Sequence, residues 1–125
     1  MINERLELLK DKQLDNVNKN KKLKENDLIR ITKFTDKCLF GNECVLWKGY
    51  VTNNKSKYIN FYFNGSKTAL HRLLYLNYIG NIYDNTYLSY KCQNPGICCN
   101  INHLIVKKKN KKNKIIKKNT VEFDL

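Results

Sequence analysis

At 125 residues and 14.8 kDa the chain has room for one small domain. Twenty-four basic residues against 11 acidic ones give a formal charge of +13, which points to an anionic partner, nucleic acid first. No run approaches the roughly 18 apolar residues that cross a bilayer, and residues 1–10 alternate charge with leucine instead of forming the apolar core of a secretory signal, so neither a membrane-spanning nor an exported protein is expected.

Residues 1–14 place Ile2, Leu6 and Leu9 on one narrow helical face. Residues 15–26 are rich in asparagine and lysine and read as a linker or frayed helix. Asp27 is positioned to cap a second short helix carrying Leu28, Ile29, Ile31 and Phe34. From Cys44 the character changes. Residues 45–47 and 58–63 are β-rich, with a polar loop at 52–57 between them, and Asn64-Gly65 is a tight-turn signal before a return strand at 67–69. Residues 70–79 then read as a helix ended by Gly80, with Leu70, Leu73, Leu74 and Asn77 on one side. A strand follows at 87–90, then an irregular loop with Pro95 and Gly96, and residues 103–106 open a last helix or strand. The expected order is two or three strands, a helix, a strand, a cysteine loop and a final helix, an α+β arrangement without internal repeats.

The positive charge is unevenly spread. Residues 1–36 carry 9 basic and 7 acidic groups, residues 37–106 carry 7 and 2, and residues 107–125 carry 8 and 2. The last block, which includes Lys107, Lys108, Lys109, Lys111, Lys112 and Lys114, repels itself and binds polyphosphate by releasing counterions, or serves as a solubilising tail. Lysine outnumbers arginine 21 to 3, which suits phosphate contact better than bidentate reading of bases. Arg72 and Lys91 are further candidates for phosphate contact, with a structural salt bridge the equal alternative for Arg72.

The densest chemistry lies between Cys92 and Leu104. A chain this short buries a modest core and commonly relies on a disulfide, a metal or a partner. Five cysteines without an export signal point to reduced thiols and hence to a metal. Cys92, Cys98 and His103 recur at spacings of six and five in a loop with turn residues. Zinc takes four tetrahedral thiolate or imidazole ligands. Cys44 is the first choice for the fourth and Cys38 the second, while Cys99 is disfavoured because adjacent side chains rarely face one ion. The alternative is five free thiols with His103 as a helix cap. His71, in the helix beside Arg72, reads as a hydrogen-bonded or half-buried residue rather than a ligand. Trp47, Tyr58, Phe61 and Phe63 read as core and sheet residues rather than base-stacking platforms.

Taken together, Cys44-Val45-Leu46-Trp47-Lys48-Gly49-Tyr50, Ala69-Leu70-His71-Arg72-Leu73-Leu74-Tyr75 with Gly80, Cys92-Gln93-Asn94-Pro95, and Cys98-Cys99-Asn100-Ile101-Asn102-His103-Leu104 occur in an order that resembles the zinc-containing branch of the HNH, or His-Me finger, endonucleases. The resemblance covers about residues 38–113. It implies a ββα-metal fold stapled by zinc through Cys44, Cys92, Cys98 and His103. It also implies a division into an N-terminal helical segment or linker (1–36), the HNH-like domain (37–113) and the end of the basic tail (114–125). In such enzymes the histidine two residues before the first loop cysteine is the general base, and a later asparagine or histidine on the final helix holds magnesium. Here Tyr90 takes the base position, between Ser89 and Lys91, and a phenol with an ordinary pKa near 10 accepts protons poorly at neutral pH. Asn110 or Asn113 would match the magnesium ligand. The 92–98 loop is one residue longer than the usual pattern, and Ile101 stands where proline is common.

The expectation is therefore a zinc-stabilised, non-catalytic binder of nucleic acid, double-stranded DNA first, on a degenerate nuclease scaffold. The alternatives are an active metal-dependent endonuclease with an altered base, which would use magnesium, and a protein-interaction module. A homodimer is compatible with the family. The Lys, Asn and Ile content fits an AT-rich viral or phage genome, with an intracellular location in a nucleus, viral factory or virion and no membrane association.

Overall fold

The computed structural model describes residues 2–52 and 58–109. The chain opens with helix α1 (Ile2–Lys12), ended where the Gln13 side chain turns away to donate to the Leu23 carbonyl (3.0 Å). Helix α2 (Glu25–Lys33) buries Leu28, Ile31 and Thr32, the i, i+3, i+4 pattern of one helical face. Its start is three residues earlier than expected, with Lys24 rather than Asp27 at the N-cap position. Asp27 does cap it, but from inside the first turn, with its carboxylate accepting from the Lys24 N–H (2.9 Å).

Strands β1 (Asn60–Phe63) and β2 (Ser66–Ala69) form an antiparallel hairpin with Phe63 opposite Ser66. The turn between them puts Asn64 at φ +51 and Gly65 at φ +83. Two consecutive left-handed residues match the right-handed twist of the strands, and asparagine and glycine reach that region at low cost. Phe61 and Phe63 point into the core while Tyr62 points out. Helix α3 (Leu70–Tyr78) begins without a break, its first N–H bonded to the Ile59 carbonyl (3.1 Å). Gly80 closes it by donating to Tyr75 O (3.0 Å), without adopting a positive φ.

Strands β3 (Thr86–Tyr90) and β4 (Leu104–Lys108) form the second hairpin, with Tyr90 opposite Leu104 and Thr86 opposite Lys108. Residues 104–108 are thus a strand, not the opening of a final helix. Ile105 and Val106 are β-branched, and the non-local pairing with 86–90 decides their conformation. The strand expected at 45–47 reduces to one bridge, Leu46 to Cys98. Its partner is the cysteine loop, where Gly96 at φ +88 turns the backbone away before a ladder can extend. Among the described residues the fold is a small α+β arrangement of three helices and two separate antiparallel pairs. No helix among them is long and apolar enough to cross a membrane.

One hydrophobic cluster spans these elements, joining Leu9 and Ile31 of the N-terminal helices to Phe61, Leu73, Ile101 and Leu104. Asn77 organises the junction. It is fully buried; its Oδ1 accepts from Leu23 N (2.9 Å) and Gln13 Nε2 (2.7 Å), and its Nδ2 donates to Lys21 O (2.9 Å) and Leu73 O (2.7 Å). Its backbone carbonyl takes the Leu14 N–H as well (2.8 Å). Every polar position of the amide is used, so the turn at 13–23 is written into α3 through a single side chain. The Tyr78 hydroxyl adds a bond to the Leu9 carbonyl (2.8 Å).

Replacing Asn77 by leucine keeps the volume but leaves the Leu23 N–H and the Lys21 carbonyl without partners in a dry site. Urea unfolding of Asn77→Leu is expected to show a loss of about 3 kcal/mol. A loss below about 1 kcal/mol would show that this clamp contributes little.

Candidate metal centre

The β3–β4 hairpin is closed by residues 91–103, which carry three of the four soft donors. Lys91 N bonds to His103 O (2.9 Å) and extends the ladder by one step, which sets Cys92 and His103 side by side as the strands diverge. Asn94 O accepts from Cys98 N (3.1 Å), folding the loop back on itself. The loop then lies against residues 45–47: Trp47 N bonds to Ile97 O (3.0 Å) and Cys99 N to Val45 O (2.6 Å). This double contact brings Cys44 to the loop across more than fifty residues of chain.

As a result the Sγ atoms of Cys44, Cys92 and Cys98 and a ring nitrogen of His103 all lie within 4.8 Å of one another. His103 Nδ1 is 3.6 Å from Cys44 Sγ and 3.4 Å from Cys98 Sγ. A tetrahedral ion bonded to sulfur at ~2.3 Å and to nitrogen at ~2.0 Å requires S···N edges of about 3.5 Å. The Cys44 and Cys98 sulfurs stand at that spacing from His103 Nδ1.

The imidazole is also presented in the right form. His103 Nε2 lies 3.1 Å from the Asn42 carbonyl, and a carbonyl only accepts, so Nε2 carries the proton and Nδ1 turns its lone pair toward the sulfurs. A backbone carbonyl holding the far nitrogen is the usual support of a metal-ligating histidine. Cys98 Sγ accepts from Asn100 N (3.4 Å), which stabilises negative charge on that sulfur. The hydrogen bond from Asn94 brings the Cys44 thiol down to about 7, so much of it is thiolate at neutral pH. Burial pushes Cys98 up to about 12, and a divalent cation would remove that proton. Three thiolates and one neutral imidazole could hold a metal such as zinc, and they fill all four positions. A closed site of this kind supplies folding energy rather than an open position for substrate.

Cys38, the second choice as fourth donor, is exposed and stands outside the cluster, with its sulfur accepting from Phe40 N (3.4 Å). Cys99 points the opposite way from Cys98 into the hydrophobic cluster, where burial raises its pKa.

Two asparagines beside the centre were not singled out as candidates in the sequence. Asn100 is fully buried; its Nδ2 donates to Gly41 O (2.9 Å) and Glu43 O (2.6 Å), and its Oδ1 caps the short 3-10 turn at Ile101–His103 by accepting from Asn102 N (2.8 Å). Asn102 Nδ2 donates to Phe40 O (2.7 Å). Together they fasten the segment before Cys44 to the segment before His103. The signal in the sequence was the Asn-x-Asn pair next to a ligand, a pattern of turn-capping side chains.

Tyr90, in the position matched to a general base, is largely buried, and burial holds its phenol well above the ordinary range, so it stays protonated at neutral pH. His71 lies beside it with ring centroids 5.7 Å apart. As expected, His71 is half-buried in α3 and stands outside the donor cluster; its Nδ1 is buried and finds no hydrogen-bond partner among the described residues. Of the expected phosphate-contacting residues, Arg72, Lys91, Lys107, Lys108 and Lys109 are exposed, and Arg72 forms no ion pair with the described residues. Lys111, Lys112, Lys114, Asn110 and Asn113 lie outside the described residues.

Burial, and secondarily the charge of Arg72, lowers His71 from 6.5 to about 4. Between those values the unfolded chain binds a proton here that the folded chain does not, so folding stability falls as pH falls through this window. The contribution is about 3 kcal/mol. Denaturant unfolding from pH 6.5 to 4 is expected to be flatter for His71→Phe than for the native chain by that amount; identical pH dependence would contradict it.

Among known proteins, the chain is 47% identical over 117 residues to "Uncharacterized protein R328" of Acanthamoeba polyphaga mimivirus, an alignment that covers 90% of this chain and 34% of that protein. The chain thus spans about a third of the length of the curated relative it matches. No family model and no solved structure matches it.

Proposed function

We propose that this chain is a metal-stabilised nucleic-acid-binding protein on a scaffold related to the zinc-containing HNH endonucleases, with the general base lost. The observation that carries the reading is the Cys44, Cys92, Cys98, His103 tetrad at the root of the β3–β4 hairpin, with Tyr90 rather than histidine two residues before its first loop cysteine. In this reading zinc fixes the hairpin, and the far end of β4 delivers Lys107, Lys108 and Lys109 to the phosphates of duplex DNA. Lys111, Lys112 and Lys114 continue the same run in sequence. Arg72 and Lys91 add contacts from α3 and the start of the loop. A surface so dominated by lysine binds the backbone and reads little sequence.

A protonated phenol at position 90 offers no acceptor for the proton of an attacking water, so the scaffold is kept for binding. The relative it matches is viral, in keeping with the viral origin expected from the lysine, asparagine and isoleucine content. Plasmid incubated with the native chain and magnesium or manganese stays intact in this account, and Tyr90→His is the informative control.

The binding itself has a quantitative signature. If six lysines each neutralise a phosphate, affinity for duplex DNA falls on the order of a thousandfold between about 50 and 200 mM salt. Converting Lys107, Lys108, Lys109, Lys111, Lys112 and Lys114 to glutamine is expected to flatten that dependence by about 0.9 log units per lost contact. An affinity insensitive to salt, or cleavage abolished by chelation, would overturn the reading.

A further inference from the structure

Single large apolar side chains in water are ordinary, but several gathered around one groove mark a contact surface. Seven are exposed among the described residues, and three of them, Phe34, Tyr50 and Tyr62, line one groove. Tyr50 is 66% and Tyr62 60% exposed. The groove encloses about 240 Å³ and runs between the end of α2, the segment 47–50 and the outer edge of β1. Its floor is the Trp47 indole, 5.2 Å from the Phe34 ring and 6.2 Å from Phe61. Gly49 leaves room for that indole: a Cβ at position 49 would stand 2.7 Å from Trp47 Nε1 and 3.3 Å from Phe34 Cδ1. The backbone here is shaped around an aromatic surface that remains open.

Arg30 lines the groove, and Lys33 and Lys67 neighbour its lining residues Phe34 and Tyr62, in sequence and across the β1–β2 pair respectively. Arg30 stacks on Phe61 with its guanidinium carbon 4.2 Å from the ring centre, fixed by Asp27 Oδ1 (2.7 Å) and Tyr62 O (2.8 Å). Lys67 is the cross-strand partner of Tyr62 and shares its outer face. Lys33 lies one turn beyond Arg30. Neither lysine has an ion pair among the described residues, whereas the two nearby carboxylates, Asp27 and Asp36, are engaged by Arg30 and Lys48. Open aromatic rings beside unneutralised cations match a ligand that alternates flat rings with anions. Unpaired nucleic acid is such a ligand; its bases stack on aromatic side chains while its phosphates meet lysine and arginine. A duplex hides its bases within the stack. A proline-rich peptide also docks on aromatic grooves but gives no use to these cations or to a chain charge of +13.

We propose that this groove stacks the unpaired bases of a single-stranded nucleic acid on Trp47, Tyr50 and Tyr62. The inference rests on the nucleic-acid reading above and adds a base-contacting surface separate from the β4 lysines. Trp47 is the chain's only tryptophan, so its fluorescence reports on the groove directly. Oligothymidylate and oligouridylate of about 12 nucleotides, a duplex of equal length, inorganic polyphosphate and a polyproline peptide are each titrated into the full chain. Quenching by either single strand and by neither polyphosphate nor peptide is expected. Tyr50→Ala with Tyr62→Ala, both at exposed sites, should weaken single-strand binding at least tenfold and leave duplex affinity within about twofold. Unchanged single-strand affinity in that variant, equal quenching by polyphosphate, or quenching by the peptide instead would overturn the groove while leaving salt-dependent duplex binding intact. Absence of binding to every nucleic acid would overturn both readings.

Discussion

Four donor atoms from positions as distant as 44 and 103 meet within 4.8 Å, and the rest of the structure is arranged around keeping them there. Beyond the Asn100 and Asn102 hydrogen bonds and a share of the core, the segments they join have little regular structure to hold them. The two sheets are separate two-stranded pairs, and the contact between residues 45–47 and the cysteine loop is a single bridge with its flanking hydrogen bonds. Isolated pairs of this kind are marginal in water. A closed thiolate–imidazole site contributes on the order of 10 kcal/mol to folding, comparable with the whole net stability of a domain. Without an ion the same donors are left with S–H···N contacts between Cys44, Cys98 and His103 Nδ1, weaker links than metal–ligand bonds.

Two buried asparagines do for the backbone what the donor tetrad does for the loops. Asn77 ties the turn at 13–23 to α3, and Asn100 ties the segment at 41–43 to the turn before His103. In both cases one amide satisfies carbonyls or N–H groups of an irregular segment that no helix or strand would satisfy. Lys21, Leu23, Gly41 and Glu43 could not otherwise turn their backbones inward without an energetic penalty. This is how a chain with short regular elements still packs the N-terminal helices and the cysteine loop into one hydrophobic cluster.

The parts of this arrangement that depend on neighbours in sequence were legible there. The Asn64-Gly65 turn, the alternation at 61–63 and the Leu70, Leu73, Leu74, Asn77 face all stand where local chemistry puts them. Cys44, Cys92, Cys98 and His103 were named from spacing and resemblance, and folding brings those four together. What was hidden depends on distant partners. Residues 104–108 became a strand because 86–90 lies alongside, and residues 45–47 stopped at one bridge because their partner is a loop. Asn77 was visible on the α3 face, but nothing local shows that four groups from residues 13–23 and Leu73 converge on it. The open groove escaped notice for a similar reason. Phe61 and Phe63 read as core residues, but nothing local shows that Tyr62 meets Phe34 and Tyr50 around one groove.

The account stands or falls on the ion. X-ray absorption at the zinc edge, on chain purified with its metal, reads the donors directly. Three sulfurs at about 2.3 Å and one nitrogen at about 2.0 Å, with the same spectrum from Cys38→Ser, is the result these positions require. A chain without bound metal, or a coordination shell that loses a sulfur when Cys38 is replaced, would contradict the proposed centre.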